Sequence, residues 1–150
     1  MSQQSRHTVA QRQRWLAVLA RAGLAELEAA LRTETPGSYT VLKPAEVGTI
    51  MVEGRAGGSG RRFNAGEATL TRCVLRLADG TLGVSYALGR DRARAEVAAL
   101  VDGLLQQQPA QSPLHRAIAA LEEAQAAART LASRKAAATR VEFFTMVRGD

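Results

Sequence analysis

Aromatic side chains are scarce in this sequence: phenylalanine, tyrosine and tryptophan make up 4% of 150 residues. Leucine, valine and alanine must therefore fill the core, and no interleaved aromatic platform for stacking bases is present. Cysteine occurs once, as Cys73, which excludes an internal disulfide and suits a reducing compartment. The only histidines are His7 and His115. Neither has a cysteine or second histidine at ligand spacing, so a zinc site with three or four protein ligands has nothing to build on. Both read as surface side chains, His7 in a mobile terminal segment. No apolar run approaches the ~18 residues that read as a membrane span. The opening MSQQSRHTVAQRQRW is polar and lacks the apolar centre of a secretory signal. A soluble, cytoplasmic chain without membrane contact is expected.

What is plentiful is arginine. Basic residues outnumber acidic ones by 20 to 14, giving a net charge of +6, and Lys43 and Lys135 are the only lysines. Guanidinium groups offer a fixed fork of donors for carboxylates and phosphates, so the partners to weigh are nucleic acid, an anionic ligand or an acidic protein surface. The apolar fraction is 46%. A chain of this length is most simply one domain, residues 1–150, burying roughly 70% of its unfolded surface.

Periodicity predicts an α+β fold. Thr8 and Gln11 form a capping box ahead of a helix from about Val9 to Ala22, ended by Gly23. A short second helix carries Leu24, Leu27 and Leu31. SYTVLK and VGTIMVEG read as two strands joined around Pro44-Ala45. TLTRCVLRLADGTLGVSYALG reads as a hairpin with Asp79-Gly80 as its two-residue turn. That register pairs Leu77 with Leu82, Leu75 with Val84 and Cys73 with Tyr86 on a buried apolar face. It leaves Arg76 opposite Gly83, Arg72 opposite Ala87 and Val74 opposite Ser85 on an open one. Asp91 caps a third helix with Val97, Leu100, Val101 and Leu104 on one stripe. Ser112-Pro113 starts a fourth, whose stripe of Leu114, Ile118, Leu121, Ala124, Ala128 and Leu131 thins to alanine. Such a stripe either packs very close to another helix or is marginal alone. The expected architecture is an N-terminal helix pair, an antiparallel sheet of about four strands, two C-terminal helices and an apolar C-terminal tail.

No catalytic constellation emerges. Cys73, inward by the register above, reads as a small hydrophobe. Glu122 and Glu123 point about 100° apart on a helix, a poor acid–base pair that reads as solvated surface. The stretch GGSGRRFNAGEATLTR, residues 57–72, holds four glycines and three arginines. It lacks the G-x-x-x-x-G-K-S/T phosphate loop, and it lacks the dinucleotide fingerprint at a strand-to-helix turn, since a strand follows it. Three readings of Gly57, Gly58, Gly60, Arg61 and Arg62 stay open: an anion nest, a plain hairpin loop, and a protein interface. The helix pair around Gly23 has the outline of a helix-turn-helix. Glu26 and Glu28 on the second helix argue against DNA, where donors and positive charge are needed. Phe143, Phe144 and Met146 in the tail would be an association liability if exposed.

GGSGRRFNAGEATLTRCVLRLADGTLGVSYALGRD, AEVAALVDGLL and VEFFTMVRGD, with RQRWLAVLARA near the start, resemble the PhnG family of the bacterial carbon–phosphorus lyase core complex. The blocks reach from about Arg12 to the last residue and match least between about Gln106 and Ala138. The resemblance implies a required but non-catalytic component in phosphonate use under phosphate starvation. It implies assembly with the H, I and J subunits of that complex, with I the most direct contact, and work alongside an ATP-binding-cassette protein. The complex that it implies transfers a phosphonate to C1′ of MgATP and releases adenine; this chain alone binds no cofactor or metal. Arg72, Arg76, the glycine loop and the tail residues are then expected at subunit boundaries. The competing reading is a free-standing module that binds an anion or nucleic acid through the Gly/Arg-rich loop.

Overall fold

The computed structural model describes residues 7–140, so Phe143, Phe144 and Met146 lie outside the described residues. The element order is α1 (Val9–Leu19), α2 (Leu24–Leu31), β1 (Tyr39–Arg55), β2 (Arg62–Leu77), β3 (Leu82–Leu88), α3 (Arg92–Gln107) and α4 (Pro113–Ala138). The sheet is an antiparallel meander in the order β1-β2-β3. It has three strands among the described residues, not about four. The two segments read as separate strands are one, because register shifts between Val41 and Lys43 and between Lys43 and Glu46 absorb Pro44. Proline cannot donate to a ladder and is tolerated on an edge strand at a bulge, which is where β1 places it.

The helix caps follow from sequence. In the capping box, Gln11 N–H donates to Thr8 Oγ1 at 3.2 Å and Thr8 N–H to Gln11 Oε1 at 2.8 Å. Asp91 and Ser112 cap α3 and α4, with Pro113 in the first turn of the latter. The end of α1 differs from expectation. The helix stops at Leu19, and Gly23 is the N-cap of α2, its N–H donating to Glu26 at 2.8 Å. Tertiary partners draw the chain out of helix there. Leu88 N–H donates to the Ala20 carbonyl at 2.9 Å and Arg94 to the Ala22 carbonyl at 3.2 Å.

The hairpin register also differs, by one residue. Arg76 pairs with Leu82, Leu75 with Gly83, Cys73 with Ser85 and Arg72 with Tyr86. Gly80 N–H bonds Leu77 O and Leu77 N–H bonds Thr81 O, both at 2.9 Å, and Gly80 has φ +92°. The loop is thus three residues, Ala78 to Gly80: a type I turn closed by a left-handed glycine. A one-residue slip moves a strand's whole side-chain set across the sheet. Leu82 and Tyr86 therefore face outward, and Gly83, Ser85 and Ala87 face inward. The inward set is small because α3 lies directly on it: a Cβ at Gly83 would stand 2.1 Å from the Ala99 carbonyl oxygen.

One core joins the helices to that inner face. Leu19, Leu27, Leu75, Leu105 and Leu114 are fully buried in it, together with Trp15 and Cys73. Two parts leave the body. Beyond Gly48, β1 and β2 run on as a two-stranded arm that no helix covers among the described residues. Beyond Gln125, whose side chain donates to Val18 O at 3.1 Å, every described residue of α4 is exposed. The thin alanine stripe there finds no helix of its own chain among the described residues. In the same span no helix is long and apolar enough to cross a membrane.

Candidate interface on the sheet and its arm

The face of the sheet away from α3 carries Arg72 and Arg76, as expected, but over different neighbours. Instead of small residues they oppose Tyr86 and Leu82. Leu82, Tyr86 and Leu88 are exposed, with Val74 and Val84 half-buried between them. The surface is therefore apolar with a basic border. Arg72 donates to Glu46 at 3.3 Å, and Lys43 reaches the same carboxylate at 3.4 Å. Lys43, and next Arg72, hold the Glu46 carboxyl below the usual carboxylate range. Arg76 has no acidic partner among the described residues.

Gly57, Gly58, Gly60, Arg61 and Arg62 lie at the tip of the arm. Gly57 and Gly58 adopt φ +61° and +82°, a conformation that side chains resist. The amides of Ser59 and Gly60 converge on the Ala56 carbonyl, the second at 2.7 Å. That carbonyl occupies the hollow into which those two N–H groups point, and a Cβ at Gly60 would lie 2.5 Å from it. The glycines thus serve the tight reversal of the chain. Arg62 lies 3.7 Å from Glu53. Arg62 and Arg72 are ten residues apart on β2, roughly 30 Å at the usual rise of a strand. The tip and the sheet face are two patches, not one site.

Sequence reasoning missed two features. Asp102 is fully buried and accepts from Arg12, Trp15 Nε1 (2.8 Å), the Val84 amide (2.9 Å) and Gln106. It ties α1, α3 and β3 together. Its only sequence signal is an acid on the apolar stripe of α3, one residue after Val101. The second feature is aromatic, and it corrects the reading of both histidines as lone surface groups. His7 and His115 stand 4.8 Å apart, ring to ring, and both pack on Trp15. Each Nε2 sits on a carbonyl at the C-terminal end of α3: Gln108 O at 2.8 Å and Leu105 O at 2.9 Å. A cleft of about 180 Å³ opens beside them, lined also by Gln11, Ile118 and the Arg14–Glu122 ion pair of 2.7 Å. Glu122 is half-buried in that pair rather than simply solvated. Among the described residues no three potential ligands gather for a metal. Cys73 is buried as expected, and burial pushes its thiol above the ordinary value.

Burial lowers the His115 pKa below its ordinary 6.5, with the neighbouring His7 acting in the same sense. The unfolded chain takes up this proton at a higher pH than the folded chain. Between the two values the unfolded state holds more protons, so acidification favours unfolding. Stability should fall as pH drops below about 6.5, and the His115→Gln variant should lose part of that dependence. Urea titrations between pH 7.5 and 5.5 measure both slopes; equal slopes would remove His115 as the cause.

Comparison with known proteins places the sequence. The family described as phosphonate metabolism protein PhnG matches residues 10–149. A curated relative from Rhizobium meliloti (strain 1021), named alpha-D-ribose 1-methylphosphonate 5-triphosphate synthase subunit PhnG, is 48% identical. The match covers 95% of this chain and 92% of the relative.

Proposed function

The chain belongs to the phosphonate metabolism protein PhnG family, and from that premise we propose that it is a required, non-catalytic subunit of a cytoplasmic ribose 1-methylphosphonate 5-triphosphate synthase complex in phosphonate catabolism. The observation that carries this reading is the near full-length match to a relative named as a subunit of that synthase. In the proposed reaction a phosphonate oxygen attacks C1′ of MgATP, the bond from C1′ to adenine breaks, and adenine leaves. MgATP is substrate of the complex, and this chain alone holds no cofactor. Its partners are the H, I and J subunits of the carbon–phosphorus lyase core complex with the ATP-binding-cassette protein, the I subunit being the direct contact. Its own contribution is surface. The apolar sheet face bordered by Arg72 and Arg76 and the arm tip with Arg61 and Arg62 suit contact with other chains. For Phe143, Phe144 and Met146 the same role rests on sequence alone.

Reconstitution tests the proposal. The H and I subunits, the ATP-binding-cassette protein and this chain are combined with MgATP and methylphosphonate, and released adenine is measured. Leaving this chain out should lower release by about 100-fold or more, because the subunits that carry the chemistry are then not assembled; that equals roughly 2.7 kcal/mol of barrier. This chain alone should release none. Full turnover without it, or adenine release by it alone, would overturn the proposal.

A further inference from the structure

The arm is an unfinished piece of structure. From Thr49 to Glu53 on β1 and from Arg62 to Glu67 on β2 every residue is exposed. β1 is an edge strand along its whole length, and β3 pairs with β2 only from Leu70 to Arg76. Among the described residues, therefore, both edges of the arm are unpaired and both faces are bare. A two-stranded ribbon of this kind is marginal in water by itself. Its open edges are templates for another strand.

Its side chains are not those of a solvated hairpin. Ile50, Met51, Val52 and Phe63 stand on it, and Met51 and Phe63 are 57% and 51% exposed. Phe63 lies across its cross-strand partner Gly54, where a Cβ would come within 3.1 Å of the ring. At the tip Arg55 directly opposes Arg62, with Arg61 next to it. Like charges opposite one another destabilise a strand pair, and Glu53 is the one carboxylate within ion-pair reach of this group among the described residues. Apolar, methionine and aromatic contacts beside arginine are what protein interfaces concentrate. A free polyphosphate would use the arginines and leave the apolar side chains wet.

We infer that the arm docks into a different protein chain, along an apolar trough that ends in a cluster of carboxylates, and adds its open edge to that chain's structure. A second copy of this chain fits poorly. The antiparallel pairing of two arms would set each arginine tip against the other's base, where Glu46 is already shared by Lys43 and Arg72. The inference rests on the reading of the chain as a component of the synthase complex and names the element that makes the contact.

Hydrogen exchange on the free chain and on the complex copurified with the I subunit tests it. Amides 49–53 and 62–67 should exchange about tenfold more slowly, or slower still, in the complex. The variant R55E/R61E/R62E should recover about tenfold less partner, with its own circular dichroism and unfolding midpoint unchanged because the arm packs on no helix among the described residues. A complex that forms with the arm exchanging as fast as in the free chain would overturn the inference and leave the synthase reading intact. Undiminished recovery of partner by the charge-reversed variant would overturn the acidic site. Protection by MgATP without protein, or in a homodimer of the lone chain, would overturn the choice of occupant. Failure to form a complex with any of the proposed partners would instead defeat the synthase reading itself.

Discussion

Replacing Asp102 with alanine should cost the isolated chain about 3–5 kcal/mol, the range for removing one partner of a buried ion pair. The carboxylate is wholly buried, whereas its partner Arg12 is about a third exposed. Its loss strands more than a charge. The Trp15 indole N–H, the Val84 amide and the Gln106 side chain all lose an acceptor. Buried donors left unpaired cost about 1–3 kcal/mol each when water cannot reach them. For a domain of this size each kcal/mol moves the midpoint by about 2–4 °C, so a fall on the order of 10 °C is expected. Trp15 is the sole tryptophan, and its fluorescence reports on the same site. The Arg12→Ala variant should lose less, because the guanidinium it removes is partly solvated while the carboxylate keeps its other donors. A loss below about 1 kcal/mol on deleting Asp102 would mean that water fills the gap.

Substituting Gly83 should be as damaging for a different reason. The Cβ of an alanine there would stand 2.1 Å from the Ala99 carbonyl oxygen and 3.1 Å from Leu75 Cδ1. The carbonyl belongs to the backbone of α3 and cannot rotate aside, so the helix must lift from the sheet. Overpacking costs about 1–3 kcal/mol and occasionally more, and a backbone obstacle puts Gly83→Ala at or above the top of that range. Gly103→Ala should cost less. Its Cβ would meet Leu77 Cδ1 at 2.9 Å, the far end of a side chain that can turn. Gly48→Ala meets nothing within 4 Å and is the control. Urea unfolding of the three variants should rank them in that order; a Gly83 variant as stable as the control would contradict the close approach of helix and sheet.

Both effects show which parts of the fold were legible. Capping residues such as Thr8, Asp91 and Ser112 act on N–H groups within three residues, so local sequence reveals them. Alternation along β2 puts Cys73 on the buried face, where the fold has it, since alternation is a property of that strand alone. Its neighbour across the sheet does not follow from alternation. Asp79-Gly80 is compatible with a two-residue and a three-residue loop, and the choice between them shifts β3 by one residue. What decides it is α3, which needs Gly83, Ser85 and Ala87 beneath it and sends Leu82 and Tyr86 outward. The same alternation puts Arg72 and Arg76 on the opposite face, but the apolar character of that face depends on the shift.

The same contrast runs through the candidate sites. The glycines at 57, 58 and 60 are compatible in sequence with an anion cradle, and the fold uses them to turn the chain back on itself. His7, Trp15 and His115 have no common spacing, and Asp102 has no partner in sequence that would mark it as buried. Interactions between residues about a hundred positions apart leave no periodic trace.

By itself, then, the sequence determined the helices and their starts, the α+β class, the inward side of β2 and the family, because these depend on local hydrogen bonds, strand alternation and matching blocks of residues. Tertiary structure alone decided the fusion of two strands at Pro44, the register of β3, the burial of Asp102 and the exposure of the arm. Each of these turns on which distant surface occupies the space beside a residue, and packing of that kind is settled only when the whole chain has come together.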